Sequence, residues 1–177
     1  MSQAVAYTID PAHSTAGFKV RHLMVANVRG EFSGVSGTVV FDAAAPENSR
    51  VEASIDTKTI HTRDEQRDTH LKSADFLDAE KYPAITFVSK KIAGAGGEWK
   101  VTGDLTIHGV TKEVTLEVEG PAPEAKDPWG NVKTGATAET RINRKDFGLV
   151  WNVALETGGV LVADEIAITL ELELLRG

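Results

Sequence analysis

The 177-residue chain contains no cysteine. That removes disulfides, thiolate zinc sites, iron–sulfur clusters and thiol nucleophiles at once. No run approaches the ~20 apolar residues of a membrane-spanning helix. The amino terminus, Met1-Ser2-Gln3-Ala4-Val5-Ala6-Tyr7, has neither the basic nor the apolar region of a signal peptide. A cytoplasmic location is therefore expected for this chain, or a periplasmic one if a leader has been removed. Acids outnumber bases by 26 to 19, for a net charge of −7, which argues against a nucleic-acid surface. Nucleophile elbows, phosphate-cradling glycine loops, dinucleotide fingerprints and zinc-protease helices are also missing.

What is present reads as β structure in one domain spanning 1–177. Val, Ile and Thr supply 44 of the 177 residues, and branching at Cβ favours strands. Ile166, Ile168, Leu170, Leu172 and Leu174 alternate with Glu165, Ala167, Thr169, Glu171 and Glu173. Val114, Leu116 and Val118, and Val51, Ala53 and Ile55, alternate with polar neighbours in the same way. Period two means one buried and one wet face. Further strands are expected at 15–24, 36–42, 85–92, 99–107 and 132–142. They are separated by turn-forming clusters such as Ala45–Ser49, Gly94–Gly97, Pro121–Gly130 and Gly158-Gly159. About eight such strands, with no alternating helices of 10–15 residues, make an all-β antiparallel barrel or sandwich.

One segment departs from the pattern. Thr62-Arg63-Asp64-Glu65 reads as a capping box opening a short polar helix over about 64–73. Arg63, Arg67 and His70 would then share one stripe, a candidate grip for an anionic or polar group or simply a solvated face. Tyr82-Pro83 enforces extended backbone before the strand at 85. The Pro121–Gly130 loop is the segment expected to move most.

Five histidines, His13, His22, His61, His70 and His108, are the main raw material for chemistry, and none forms a close ligand pair. A metal site would need assembly from distant strands. His22 shares strand parity with Phe18 and Val20, so it points inward if Phe18 does. His13-Ser14 follows the turn pair Asp10-Pro11 and lacks an orienting acid in sequence, so it reads as a turn. Arg144-Lys145-Asp146 reads as a hairpin corner.

The interior carries the most useful clue. In 132–142, Val132, Thr134, Ala136, Ala138, Thr140 and Ile142 share one parity. If that set faces inward, its small members leave volume unfilled. Ala53 and Gly103 do the same on their strands. An eight-stranded barrel has room for side chains or for one small ligand. Either a long apolar cavity results, or Phe18, Phe41, Phe87 and Trp99 fill it.

Seven stretches carry a family resemblance. They are Ile9–Ser14, Phe18-Lys19-Val20-Arg21-His22-Leu23, Val28-Arg29-Gly30-Glu31-Phe32, Arg67-Asp68-Thr69-His70-Leu71-Lys72-Ser73-Ala74-Asp75-Phe76, Tyr82-Pro83-Ala84-Ile85-Thr86-Phe87, Gly103–Thr111 and Ile142-Asn143-Arg144-Lys145-Asp146-Phe147-Gly148. In this order and spacing, from Tyr7 to Leu174, the sequence resembles the YceI-like family of bacterial polyisoprenoid-binding, lipocalin-like proteins. The resemblance implies an extended antiparallel lipocalin-like barrel of about eight strands, with a helical insertion near one mouth. It implies a tunnel for an isoprenoid chain, as in prenyl quinones and their precursors, or for another long lipid, and no catalytic activity.

The expected function is thus a non-catalytic carrier or sequestering protein for a long apolar ligand, with no cofactor and no resident metal. A homodimer is an open arrangement. Strand parity nominates Phe18, Phe32, Phe41, Ile55, Phe87, Leu105, Ile107, Phe147 and Trp151 for the wall, and Ala136 and Ala138 for the space. His22, Arg67 and His70 are candidates for the ligand's polar head. Two alternatives stay open: a metal-assisted enzyme using histidines at the barrel mouth, and a stress-related interaction module with a filled barrel.

Overall fold

A computed structural model describes residues 4–156 and 159–177; of the Gly158-Gly159 turn, Gly158 lies outside them. The strands are β1 (Val5–Ile9), β2 (Thr15–His22), β3 (Ala26–Phe32), β4 (Val35–Phe41), β5 (Arg50–Asp56), β6 (Ile60–His61), β7 (Ala84–Ala95), β8 (Glu98–Ile107), β9 (Val110–Glu119), β10 (Ala125–Lys126), β11 (Val132–Asn143) and β12 (Val162–Arg176). One helix, α1 (Glu65–Lys72), follows β6.

Register shows that several short strands are parts of longer staves. β1 and β2 both pair antiparallel with the same edge of β12, interrupted by a 3-10 turn at Pro11–His13. β4 pairs with β1 while β3 pairs with β2, so 26–41 forms a second bent stave. β5 and β6 follow it in the same manner, broken at Thr57–Thr59. β7, β8 and β9 continue the meander, β9 pairs with β11, and β11 pairs with β12 along 133–143. The result is a closed, eight-stave antiparallel barrel in which each stave neighbours the next in sequence. Closure removes the exposed edges that an open sheet would have to protect.

The expected parity is realised on β12. Ile166, Ile168, Leu170, Leu172 and Leu174 face the interior, while Glu171 is exposed. Glu173 faces outward but is half-buried, because Lys133 Nζ lies 3.1 Å from its carboxylate. Strands β1, β3, β6 and β10 have no counterpart among the expected strands. β1 is only five residues long, and β3 contains Gly30, a strand-weakening residue. The glycine is required by packing: a Cβ there would lie 2.4 Å from the Phe18 ring.

Gly103 does not leave the space its parity implied. A Cβ at Gly103 would meet the Val88 carbonyl oxygen at 2.4 Å and the Phe87 ring at 2.7 Å. The missing side chain is taken up by Phe87 and by the register shift in β7 between Ser89 and Lys91. The 121–130 loop contains local structure of its own. It holds β10, and Asp127 accepts hydrogen bonds from the Trp129 and Asn131 amides and from Asn131 Nδ2, all at 2.9 Å.

Candidate ligand-binding site

A cavity of about 550 Å³ runs through the barrel, within the ~300–1,000 Å³ of small-molecule sites. Its wall on β12 extends from Val162 to Leu174. That is about 40 Å of strand, or ~30 Å along the axis at the usual tilt. The lining is overwhelmingly aliphatic and aromatic. Phe18, Phe32, Phe41, Ile55, Phe87, Leu105 and Ile107 all reach it. The small residues Ala16, Ala53, Ala136 and Ala138 lie among them and keep the volume open. The cavity is therefore not filled by aromatics. Phe18 packs against Phe32 at 5.8 Å between ring centres, and Phe41 meets the Trp99 ring edge-on at 5.2 Å.

Phe147 is the one nominated wall residue that does not line the cavity. It lies in a 3-10 turn, Arg144–Phe147, beyond the end of β11, where period-two parity no longer applies. There it is only 1% exposed and belongs to the packed core.

The two ends of the cavity differ. At one end Trp99 Nε1 donates to Gly120 O at 2.7 Å, and Gly120 and Pro121 line the tunnel. Nearby Tyr7 donates its hydroxyl to Glu124 at 2.8 Å. Burial, reinforced by that acceptor, pushes the Tyr7 phenol up to about 12. At the other end the lining includes His22, Arg67, His70 and Trp151, together with Asp64 and Gln66. His70 meets the rings of Phe76 and Trp151 edge-on at 5.1 and 4.7 Å, and its Nε2 lies 2.8 Å from Asp75 Oδ2.

The helix at this end is not capped as the sequence indicated. Asp64 is the N-cap, accepting from the Arg67 amide at 3.1 Å, because Arg63 takes a left-handed conformation with φ 64°. Thr62 instead bonds to Asp68, and Arg67 donates Nε to Thr62 Oγ1 at 2.8 Å and Nη2 to Thr62 O at 2.6 Å. Arg63 therefore leaves the expected stripe, whereas Arg67 and His70 stay on it.

Sequence reasoning missed Arg144. It is not a hairpin-corner surface residue but is 1% exposed. Its Nε donates to Ala163 O at 2.9 Å, Nη1 to Leu149 O at 2.6 Å and Trp151 O at 2.9 Å, and Nη2 to Val162 O at 3.2 Å. Burial lowers its pKa, opposed by Asp164. A planar five-donor fork can gather four carbonyls that a lysine could not. Arg144 thus fixes the strand start at 162–163 against the segment carrying Trp151.

The histidines do not converge. Among the described residues, the one group with metal-ligand proximity is Asp10, His13 and Glu173 on the outer wall. Lys133 Nζ already lies 3.6 Å from Asp10 and 3.1 Å from Glu173. A fixed ammonium there supplies the positive charge that a metal would bring. Ser14 bonds to the Glu173 backbone, so it forms no dyad with His13.

These features agree with the comparisons. The YceI-like domain model matches residues 7–174. A UPF0312 protein of Staphylococcus aureus is 39% identical over 160 residues, covering 90% of this chain and 91% of its own. The crystal structure of BcnA from Burkholderia cenocepacia superposes with a TM-score of 0.76 at 28% identity, covering 93% of this chain and 98% of that one. A polyisoprenoid-binding domain from Saccharophagus degradans, implicated in plant cell wall breakdown, shares the fold with a TM-score of 0.69 at 15% identity, over 98% and 99% of the two chains. A closed antiparallel barrel with this tunnel, helix and family match places the chain in the YceI-like family.

Proposed function

We propose that the protein binds, and thereby carries or sequesters, a long apolar molecule of the polyisoprenoid class, such as a prenyl quinone or its precursor. The observation that carries this reading is the 550 Å³ apolar tunnel whose width is kept open by Ala136 and Ala138. The description of the Saccharophagus degradans domain as polyisoprenoid-binding supports the ligand class. Binding comes from removing chain surface from water, at ~25 cal/mol per Å² before association costs. The polar head sits at the His22, Arg67 and His70 end, where polar side chains, Asp64 and Gln66 among them, meet the apolar wall. The tail runs toward Trp99 and Gly120. The reading is one of binding rather than catalysis, as the family match favours.

Ala138→Trp tests it. Ala138 is 4% exposed and faces the tunnel. Overpacking a filled core costs ~1–3 kcal/mol, whereas a tunnel absorbs part of the added volume. We expect lost retention of a prenyl quinone with a nearly unchanged melting temperature. Native mass spectrometry of protein purified without added lipid should show a co-purifying mass of several hundred daltons in the wild type only. A wild type that binds no quinone, with a variant that melts far lower, would refute the carrier.

A further inference from the structure

The hairpin joining β2 to β3 is built against its own backbone preferences. Val25 N bonds to His22 O at 3.3 Å, and both central residues of the turn are left-handed, Leu23 at φ 55° and Met24 at φ 63°. Such a turn favours Asn-Gly. A leucine and a methionine there are strained. The fold gains little core in return: Leu23 is 44% exposed, Met24 50% and Val25 78%.

These side chains are part of a larger patch. Of eight exposed large apolar residues among those described, six lie in 23–25 and 150–160, the others of the patch being Val150, Val153 and Val160. The two segments touch. Leu23 N bonds to Leu161 O at 2.9 Å, and a Cβ on Gly159 would lie 3.1 Å from the Met24 side chain. The patch adjoins the tunnel end, because His22, Trp151, Leu161 and Val162 line the cavity.

Charge behind the patch points to the occupant. Lys19 and Arg29 are directly cross-strand, with Arg21 two residues nearer the tip. Like charges opposed in this way are unfavourable. None of the three has a carboxylate partner among the described residues; Arg21 spends one donor on Met24 O at 3.2 Å. Glu31 lies further from the tip, Glu156 is the single acid within 150–160, and Asp164 and Glu165 on the neighbouring β12 are engaged by Lys145 and Arg141. An unpaired basic trio is notable in a chain of net charge −7.

We propose that this rim docks on an anionic lipid bilayer, with Leu23, Met24 and Val25 entering the interface and Lys19, Arg21 and Arg29 facing headgroups. Apolar side chains backed by cations are the physical requirement for such binding. The proposal rests on the carrier reading for its purpose, since it brings the tunnel mouth to the phase in which a polyisoprenoid dissolves.

The test uses vesicles of phosphatidylglycerol and phosphatidylcholine, and neutral phosphatidylcholine vesicles, with protein free of added quinone. The wild type should co-sediment with the anionic vesicles, more weakly as salt rises. Leu23→Asn with Met24→Gly should lower that affinity by about tenfold or more. The same variant should melt about 2–4 °C higher, because the turn strain is relieved. Lys19→Gln with Arg29→Gln should weaken binding by about tenfold on anionic vesicles only. Quinone uptake from ethanol, without vesicles, should stay unchanged in both variants. A wild type that ignores both vesicle types overturns the docking proposal even if quinone binds. Vesicle binding without quinone binding leaves the docking intact and refutes the carrier. A concentration-dependent dimer abolished by Leu23→Asn/Met24→Gly, with no vesicle binding, assigns the patch to a second copy instead.

Discussion

At the residue scale, Arg144 acts through its burial, at 1% exposure, rather than as a surface base. Four backbone carbonyls from two segments accept from one buried guanidinium, Val162 O sharing its acceptor with Asn152 Nδ2. Removing it takes a donor from each of those acceptors, leaving Val162 O to Asn152 and Asp164 facing only Lys145, 3.3 Å away. Arg144→Met should therefore cost about 3–5 kcal/mol in urea unfolding. Arg144→Lys should recover little, since a point charge cannot bond four divergent carbonyls. A loss below 1 kcal/mol would mean that the 149–151 segment holds its place without the arginine. Arg67 illustrates a milder form of the same economy. Two of its donors are committed to Thr62, yet it still lines the tunnel.

At the element scale, α1 is too short to be stable by propensity. Eight residues lie well below the ~12–15 at which isolated helices become marginal. None of its residues is fully buried, and its packing is confined to Leu71 against the core and His70 against Phe76 and Trp151. To that packing its N-terminus adds the Asp64 cap and the tie from Asp68 to the Thr62 amide at 2.8 Å. Asp64→Ala should cost the helix ~0.5–2 kcal/mol. Amide exchange over 65–72 should quicken while the barrel strands keep their protection and global melting hardly moves. Equal loss of protection in β8 and β12 would instead tie the helix to the barrel's global cooperativity.

At the scale of the whole molecule, closure depends on β12, which pairs with β1, β2 and β11. A charged cluster sits on the outside of that seam. His13 Nδ1 lies 2.9 Å from Asp10, and Lys133 approaches Asp10, Asp127 and Glu173. The Asp10 carboxyl is held below the usual range first by its hydrogen bond with His13, and Asp127 first by Asn131. Glu173 in turn raises Lys133. A carboxylate lowered in the folded state stabilises above its unfolded value of ~3.9 and loses that contribution as pH falls through the folded value. Between pH ~5 and ~2 the wild type should thus lose more stability than Asp10→Asn/Asp127→Asn, as read by denaturant midpoints. Parallel losses would show that the acid sensitivity lies elsewhere in the barrel.

Period-two patterning on 51–55, 132–142 and 166–174 was enough to determine the class of fold and which side chains face inward, because burial on one face leaves each strand a single register. It also put the small residues Ala136 and Ala138 on the inner face, while leaving open whether Phe18, Phe41, Phe87 and Trp99 fill the space beside them. Three things were decided only by tertiary structure. Gly103 faces inward but encloses no space, because β7 bulges toward it with Phe87. Arg144 reads as a polar corner, yet its burial depends on carbonyls from 149–151 and 162–163, which sequence spacing does not bring together. The helix cap moved from Thr62 to Asp64 because Thr62 is engaged by Asp68 and Arg67. Parity is a local property of one strand and is legible in order along the chain. Hydrogen-bond partners across a closed barrel depend on how distant segments meet, and that is fixed only once the staves have paired.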